Sequence, residues 1–94
     1  MRDGEHIGYY SSGEIESKYN YLDDNLHGEF TRYYISGEVE YKSWYLDDNL
    51  HGEYIRYSKN GEILSKSYHI DGESVTEFEW LGYNRNLKFK LLGL

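Results

Sequence analysis

The chain repeats itself every 24 residues, and that period constrains its fold more than any other feature of the sequence. Gly13, Gly37 and Gly61 are each followed by a glutamate (Glu14, Glu38, Glu62), and the chain aligns on them as units 13–36, 37–60 and 61–84. The first two units agree at 15 of 24 positions, including the unbroken block Tyr-Leu-Asp-Asp-Asn-Leu-His-Gly-Glu. The third agrees with the second at only 7 but keeps the apolar and aromatic positions. Leu22, Leu46 and Ile70 stand in register, as do Phe30, Tyr54 and Phe78. Residues 4–12 fit as a half unit, with Gly4-Glu5 over Gly28-Glu29 and Tyr9-Tyr10 over Tyr33-Tyr34. The expectation is one domain over 1–94, without a linker, closed by a segment at 85–94 that breaks the repeat.

Inside a unit, two stretches rich in Tyr, Ile and other strand formers flank Ser12-Gly13, Ser36-Gly37 or Asn60-Gly61. Asn-Gly in that setting predicts a two-residue type I′ hairpin, with glycine supplying the positive φ that a Cβ resists. The other connection, Asp23 to Gly28 and again Asp47 to Gly52, reads as a longer loop. Its Asx residues take turn backbones by bonding their own chain, and Gly28 and Gly52 close it. The expected turn glycines are therefore Gly13, Gly28, Gly37, Gly52 and Gly61. The fold class that follows is all-β: an antiparallel meander of stacked 24-residue β-hairpins, about seven or eight short strands in one extended or curved sheet. No segment has a convincing helical period with caps, apart from a hint in the tail.

Side chains alternate along a strand. Ile15, Ser17, Tyr19 and Tyr21 fall on one side, matched by Val39, Tyr41, Ser43 and Tyr45; Glu16, Lys18, Asn20 and Leu22 fall on the other, matched by Glu40, Lys42, Trp44 and Leu46. Neither side is purely apolar, which suits a thin ribbon better than a sandwich. Lys18, Lys42 and Lys66 recur at one position, and Glu16 and Glu40 two residues earlier, so a solvated ladder of alternating charge is expected.

Charge narrows the function classes. The formal net charge is −7, and residues 1–84 hold 7 bases against 17 acids, or −10. Nucleic acids and anionic membranes both demand positive charge, so neither is an expected partner. Cysteine is absent, which excludes disulfides, thiolate metal sites and Cys nucleophiles. Met1 to His6 carry no apolar leader region, and a cytoplasmic location is expected. Asp23-Asp24-Asn25 and Asp47-Asp48-Asn49 lack the spacing of a calcium loop and read as turns. His27 and His51, one repeat apart, would lie about 10 Å from each other, too far to share a zinc ion. No G-x-S-x-G, Walker A or G-x-G-x-x-G occurs, and the residues able to do chemistry are periodic where a catalytic site is singular. No catalytic residue, metal or cofactor is expected.

Twelve Tyr, 3 Phe and 2 Trp are too many for a core of this size. Some must be partly exposed, and Tyr21, Tyr33, Trp44, Tyr45, Tyr57 and Trp80 are the candidate partner-binding residues, because Tyr and Trp dominate binding hot spots. The same rings could instead do no more than staple neighbouring hairpins.

The recurring pattern is Gly-Glu-aromatic, a Tyr, a Gly turn, a charged strand and a Leu-Asp loop ending in Gly. Gly28-Glu29-Phe30, Tyr33-Tyr34 and Gly37-Glu38 carry it, then Gly52-Glu53-Tyr54, Tyr57 and Gly61-Glu62. It resembles the MORN repeat, and is most similar to the variant MORN repeat of bacterial and viral proteins, some of them toxin–antitoxin or immunity components. The resemblance covers residues 4–84 and implies stacked β-hairpins with an aromatic-lined groove and no catalysis of their own. The function expected is a protein-interaction or scaffold module with an acidic, Tyr-rich surface and a basic protein partner. One alternative is an immunity or antitoxin protein that neutralises a toxin; a second is an anionic-lipid-binding MORN module. The tail Leu87–Leu94 is read as a cap of the solenoid end, or as a homodimer contact.

Overall fold

The computed structural model describes the backbone of residues 2–91 and the side chains of residues 2–84. Its strands are β1 (Gly4–Tyr9), β2 (Ile15–Leu22), β3 (Asn25–Leu26), β4 (Gly28–Tyr33), β5 (Val39–Leu46), β6 (Asn49–Leu50), β7 (Gly52–Tyr57), β8 (Ile63–Ile70) and β9 (Glu73–Val75); one helix, α1 (Glu77–Leu91), follows. They form a single antiparallel sheet in the order β1-β2-β4-β5-β7-β8-β9, with β3 paired to β2 and β6 to β5. The all-β meander expected from the repeat is the fold found. The molecule measures 51 × 36 × 22 Å with a radius of gyration of 15.2 Å; a compact domain of this length would have roughly 12 Å.

The turns are distributed otherwise than the sequence suggests. The positive-φ non-glycine residues are Asp23 (51°), Asp24 (69°), Asp47 (48°), Asp48 (70°) and Asp71 (51°). Leu22 pairs with Asn25 and Leu46 with Asn49, so each Asp-Asp is a complete two-residue hairpin turn with both φ values positive, the type I′ geometry. Asp71-Gly72 does the same between Ile70 and Glu73. The predicted type I′ turns at Ser12-Gly13, Ser36-Gly37 and Asn60-Gly61 are three-residue loops instead. Gly13 N–H donates to Tyr10 O at 3.0 Å, and its equivalents do so at 2.9 Å. Only the glycine of each loop takes positive φ (102°, 105° and 87°), and three residues further on the register slips by one residue, at Glu16, Glu40 and Leu64. Gly28 (φ 85°) and Gly52 (φ 122°) are not turn residues: they begin β4 and β7, at the break that lets one strand leave β3 or β6 and pair with the next hairpin.

Successive Asp turns hang on one another along one long edge. Asp24 N–H donates to Arg2 O and Asp48 N–H to Leu26 O, both at 3.0 Å, and Gly72 N–H donates to Leu50 O at 2.8 Å. The Asp48 carboxylate accepts from Leu26 N–H at 2.6 Å, and the Asp24 carboxylate accepts from Arg2 N–H. On the sheet the Tyr10 hydroxyl donates to Tyr33 O at 2.5 Å, and 24 residues on the Tyr34 hydroxyl donates to Tyr57 O at 2.7 Å. Each hairpin is thus fastened to its neighbour at matching points.

Little is buried in the ordinary sense. Among the described residues Ile55, 7% exposed, is the one buried apolar side chain, joined by Ser17, Thr31 and the fully buried Ser43. Aromatic stacking across the sheet takes the place of a two-layer core.

The second half of unit 61–84 is not a hairpin. Thr76, which stands where Gly28 and Gly52 stand, caps α1: its hydroxyl accepts from Glu79 N–H at 3.1 Å, and the Glu79 carboxylate accepts from Thr76 N–H at 3.1 Å. This is a reciprocal capping box, with Glu77 and Glu79 complementing the positive helix end. Phe78, in register with Phe30 and Tyr54 by sequence, is 87% exposed on the helix. The dimer contact expected through Leu87–Leu94 lies outside the residues whose side chains are described.

Candidate functional site

One face of the sheet carries an unbroken row of rings, one from each of six strands. His6 (β1) stacks on Tyr19 (β2) with centroids 5.8 Å apart, Tyr19 on Phe30 (β4) at 5.3 Å, Phe30 on Tyr41 (β5) at 5.9 Å and Tyr41 on Tyr54 (β7) at 5.3 Å. His69 (β8) closes it edge-on at 6.3 Å. Directly opposite Phe30 stands Ser43, whose small side chain leaves room for the neighbouring rings to meet above it. The Ser43 hydroxyl is buried with no hydrogen-bond partner, as are His6 Nε2 and His69 Nδ1. Burial pushes the Tyr41 phenol above its usual pKa.

Arg32 lies on this face between two carboxylates, Glu40 at 3.3 Å and Glu16 at 3.7 Å. Burial alone would lower the guanidinium pKa, but Glu16 and Glu40 more than offset it and raise it. The expected Glu–Lys ladder is therefore not formed. The bulges beside Ile15 and Val39 turn Glu16 and Glu40 toward Arg32, while Lys42 and Lys66 pair on the other face with Glu29 (3.7 Å) and Glu53 (3.5 Å). These pairs are more than a third exposed and add little stability.

The six candidate aromatics do not share a surface. Tyr21 and Tyr45 stand on the ladder face, edge-on to His6 (4.9 Å) and Phe30 (6.0 Å); the Arg2 guanidinium lies 4.3 Å from the Tyr21 ring centre. Trp44, opposite Glu29, stands on the reverse face, as do Tyr33 and Tyr57, which border shallow hollows containing Lys18 and Lys42 respectively. Trp80 comes from α1. All six are half-buried. Sequence reasoning placed Tyr19, Phe30, Tyr41 and Tyr54 in strands without singling them out; the signal was their spacing, one ring per strand.

On the reverse face, α1 leans on β8. Trp80 is offset-stacked between Tyr68 at 6.4 Å and Tyr83 at 5.9 Å, and His51 meets Trp80 and Tyr83 edge-on at 5.7 and 5.3 Å. His51 Nδ1 accepts from Asp71 N–H at 3.4 Å. Gly52 is the floor: a Cβ there would come within 3.4 Å of Trp44 Cβ and 3.8 Å of Trp80 Cη2. Between helix and sheet lies a cleft of about 310 Å³ lined by Trp44, His51, Gly52, Glu53 and Trp80. At its margin, hydrogen bonding to Tyr68 and then the charge of Glu53 raise the pKa of Lys66, whose ammonium sits 5.5 Å from the Tyr68 ring centre. Among the described residues no group of three or more metal-binding side chains occurs, and no helix is long and apolar enough to cross a membrane.

No curated protein and no solved structure matches the chain. The family model of the MORN repeat variant matches it twice, over residues 2–23 and 50–71. The two segments start 48 residues apart, twice the sequence period, and each spans a bulged hairpin and ends within an Asp turn. By repeat family and by geometry these hairpins are similar to MORN repeats, which are generally non-enzymatic modules of protein or lipid interaction.

Proposed function

We propose that the chain is a non-catalytic binding module that takes a basic protein partner on its aromatic ribbon, in the cytoplasm. The observation that carries this reading is the ring row from His6 to Tyr54, half-buried on a face over which no element packs among the described residues. Aromatic side chains fixed in a row offer contact area at low entropic cost. Asp23, Asp24, Asp47, Asp48 and Asp71 line the neighbouring edge, all exposed, and −10 over residues 1–84 would steer a basic partner toward it.

The test is affinity capture with the tagged chain at low and high salt, comparing wild type with Tyr21→Ala/Tyr45→Ala. A basic protein held at low salt, released at high salt and weakened by the double variant supports the reading. Retention indifferent to both salt and variant, or no retention at all, contradicts it. A narrower form is an immunity or antitoxin protein that fills the cleft of a basic toxin such as a nuclease, and the sign of the charge supports it. Rescue of growth on co-expression with a candidate toxin would establish it. The same charge speaks against an anionic-lipid role.

A further inference from the structure

Two departures from the 24-residue period meet in one place. Trp44 stands where the other units have Asn20 and Tyr68, and Trp80 where they have Arg32 and Arg56. These are the chain's 2 tryptophans, and both line the cleft between α1 and the sheet. A side chain that merely staples hairpins recurs with the hairpins; one that appears once, beside a second of its kind, serves something the repeat does not.

The chemistry of the cleft is narrow. Two indoles give it apolar walls, and Gly52, held at φ 122°, keeps the floor open. Trp44 stacks on no other ring among the described residues, whereas Trp80, Tyr68, Tyr83 and His51 are committed to one another. Glu53 is the single carboxylate in the lining, and its ion pair with Lys66 is exposed enough to exchange. That pair already displays the chemistry in miniature, an ammonium held by a carboxylate beside an aromatic ring. The volume of about 310 Å³ is at the small end of ligand pockets, suited to one extended side chain. We propose that this cleft, on the face opposite the ring row, is a separate subsite for a lysine side chain of a basic protein, its methylene stem between Trp44 and Trp80 and its ammonium on Glu53. The proposal rests on the reading of the chain as a binder of basic proteins.

The test uses n-butylammonium, which reproduces the lysine side chain beyond Cα, with n-butanol as its neutral counterpart. Intrinsic tryptophan fluorescence reads only this site. The expected result is a saturable change with n-butylammonium, weaker with n-butanol by roughly three- to tenfold. Glu53→Gln, a near-isosteric change, should remove the preference for the cation while leaving the circular-dichroism spectrum unchanged. Trp44→Leu should weaken n-butylammonium binding by a similar factor, with Trp80 still reporting. No saturable change, or equal response to amine and alcohol, overturns the subsite. If a captured basic partner is held equally well by wild type, Glu53→Gln and Trp44→Leu, the subsite fails while the module reading stands. If no partner is captured but the amine titrates selectively, the module reading fails while the subsite stands.

Discussion

Aspartate at positive φ is the residue-level device that makes the ribbon. Asp48, at φ 70°, offsets its backbone cost by accepting from Leu26 N–H, so one carboxylate both shapes its own turn and caps the previous hairpin. Asp48→Ala loses the hydrogen bond and keeps the unfavourable φ, and should cost about 1–2 kcal/mol in urea unfolding. Asp48→Gly loses the bond but relieves the backbone and should cost less; Gly72 stands at the corresponding place in the third Asp turn. The glycine loops carry a second local device. The hydroxyl of Ser36 donates to the Glu38 carboxylate, and that hydrogen bond holds Glu38 below the usual carboxylate range. A folded pKa below the unfolded one means the stabilisation is complete above the unfolded value and vanishes as pH falls through the folded value. Ser36→Ala should therefore raise the Glu38 pKa measured by NMR titration and flatten the loss of stability on the acid side.

Among the elements, the strands and their order were legible because the period, the glycines and the aromatic spacing all agree. The turn types were not. Ser-Gly and Asn-Gly look like the sharper hairpin signals, yet Asp-Asp makes the two-residue turns, because the carboxylate finds its partner on the neighbouring hairpin rather than within the turn itself. That partner is invisible without the stacking. The bulges that turn Glu16 and Glu40 toward Arg32 are hidden for the same reason: strict alternation puts them on the wrong face. The helix had a readable signal in Thr76-Glu77-Phe78-Glu79, a capping box at the point where the loop glycine is lost. In the repeat register the same residues fall under the strand positions 28–31 and 52–55, which hides it. Of the candidate site, Trp44 and Trp80 were picked out as exposed aromatics, but their meeting required knowing that residues 77–91 leave the sheet and fold back. Thr76→Ala should destabilise the protein by about 1 kcal/mol, with the helical signal in circular dichroism and the Trp80 emission changing together as α1 frays from β8.

At the scale of the whole molecule, stability is spread along a line. Among the described residues each hairpin packs chiefly against its neighbours, and the ring row is the thread that couples them. Phe30, with Tyr19, Tyr41 and Tyr45 around it, is the hub of that row. Phe30→Ala should cost about 3 kcal/mol, whereas Tyr9→Ala, at an edge position 61% exposed, should fall within about 0.5 kcal/mol of wild type. An open ribbon of this kind gains little from a conventional core, and its ring face is left uncovered among the described residues.

The row itself can be observed in solution. A NOESY spectrum of the chain with assigned aromatic protons should show ring-to-ring contacts in succession, His6 to Tyr19, Tyr19 to Phe30, Phe30 to Tyr41 and Tyr41 to Tyr54. Absence of the contacts from Tyr19 to Phe30 and from Tyr41 to Tyr54, the two that join one hairpin to the next, would mean that the hairpins do not stack as one sheet and would contradict the account at its root.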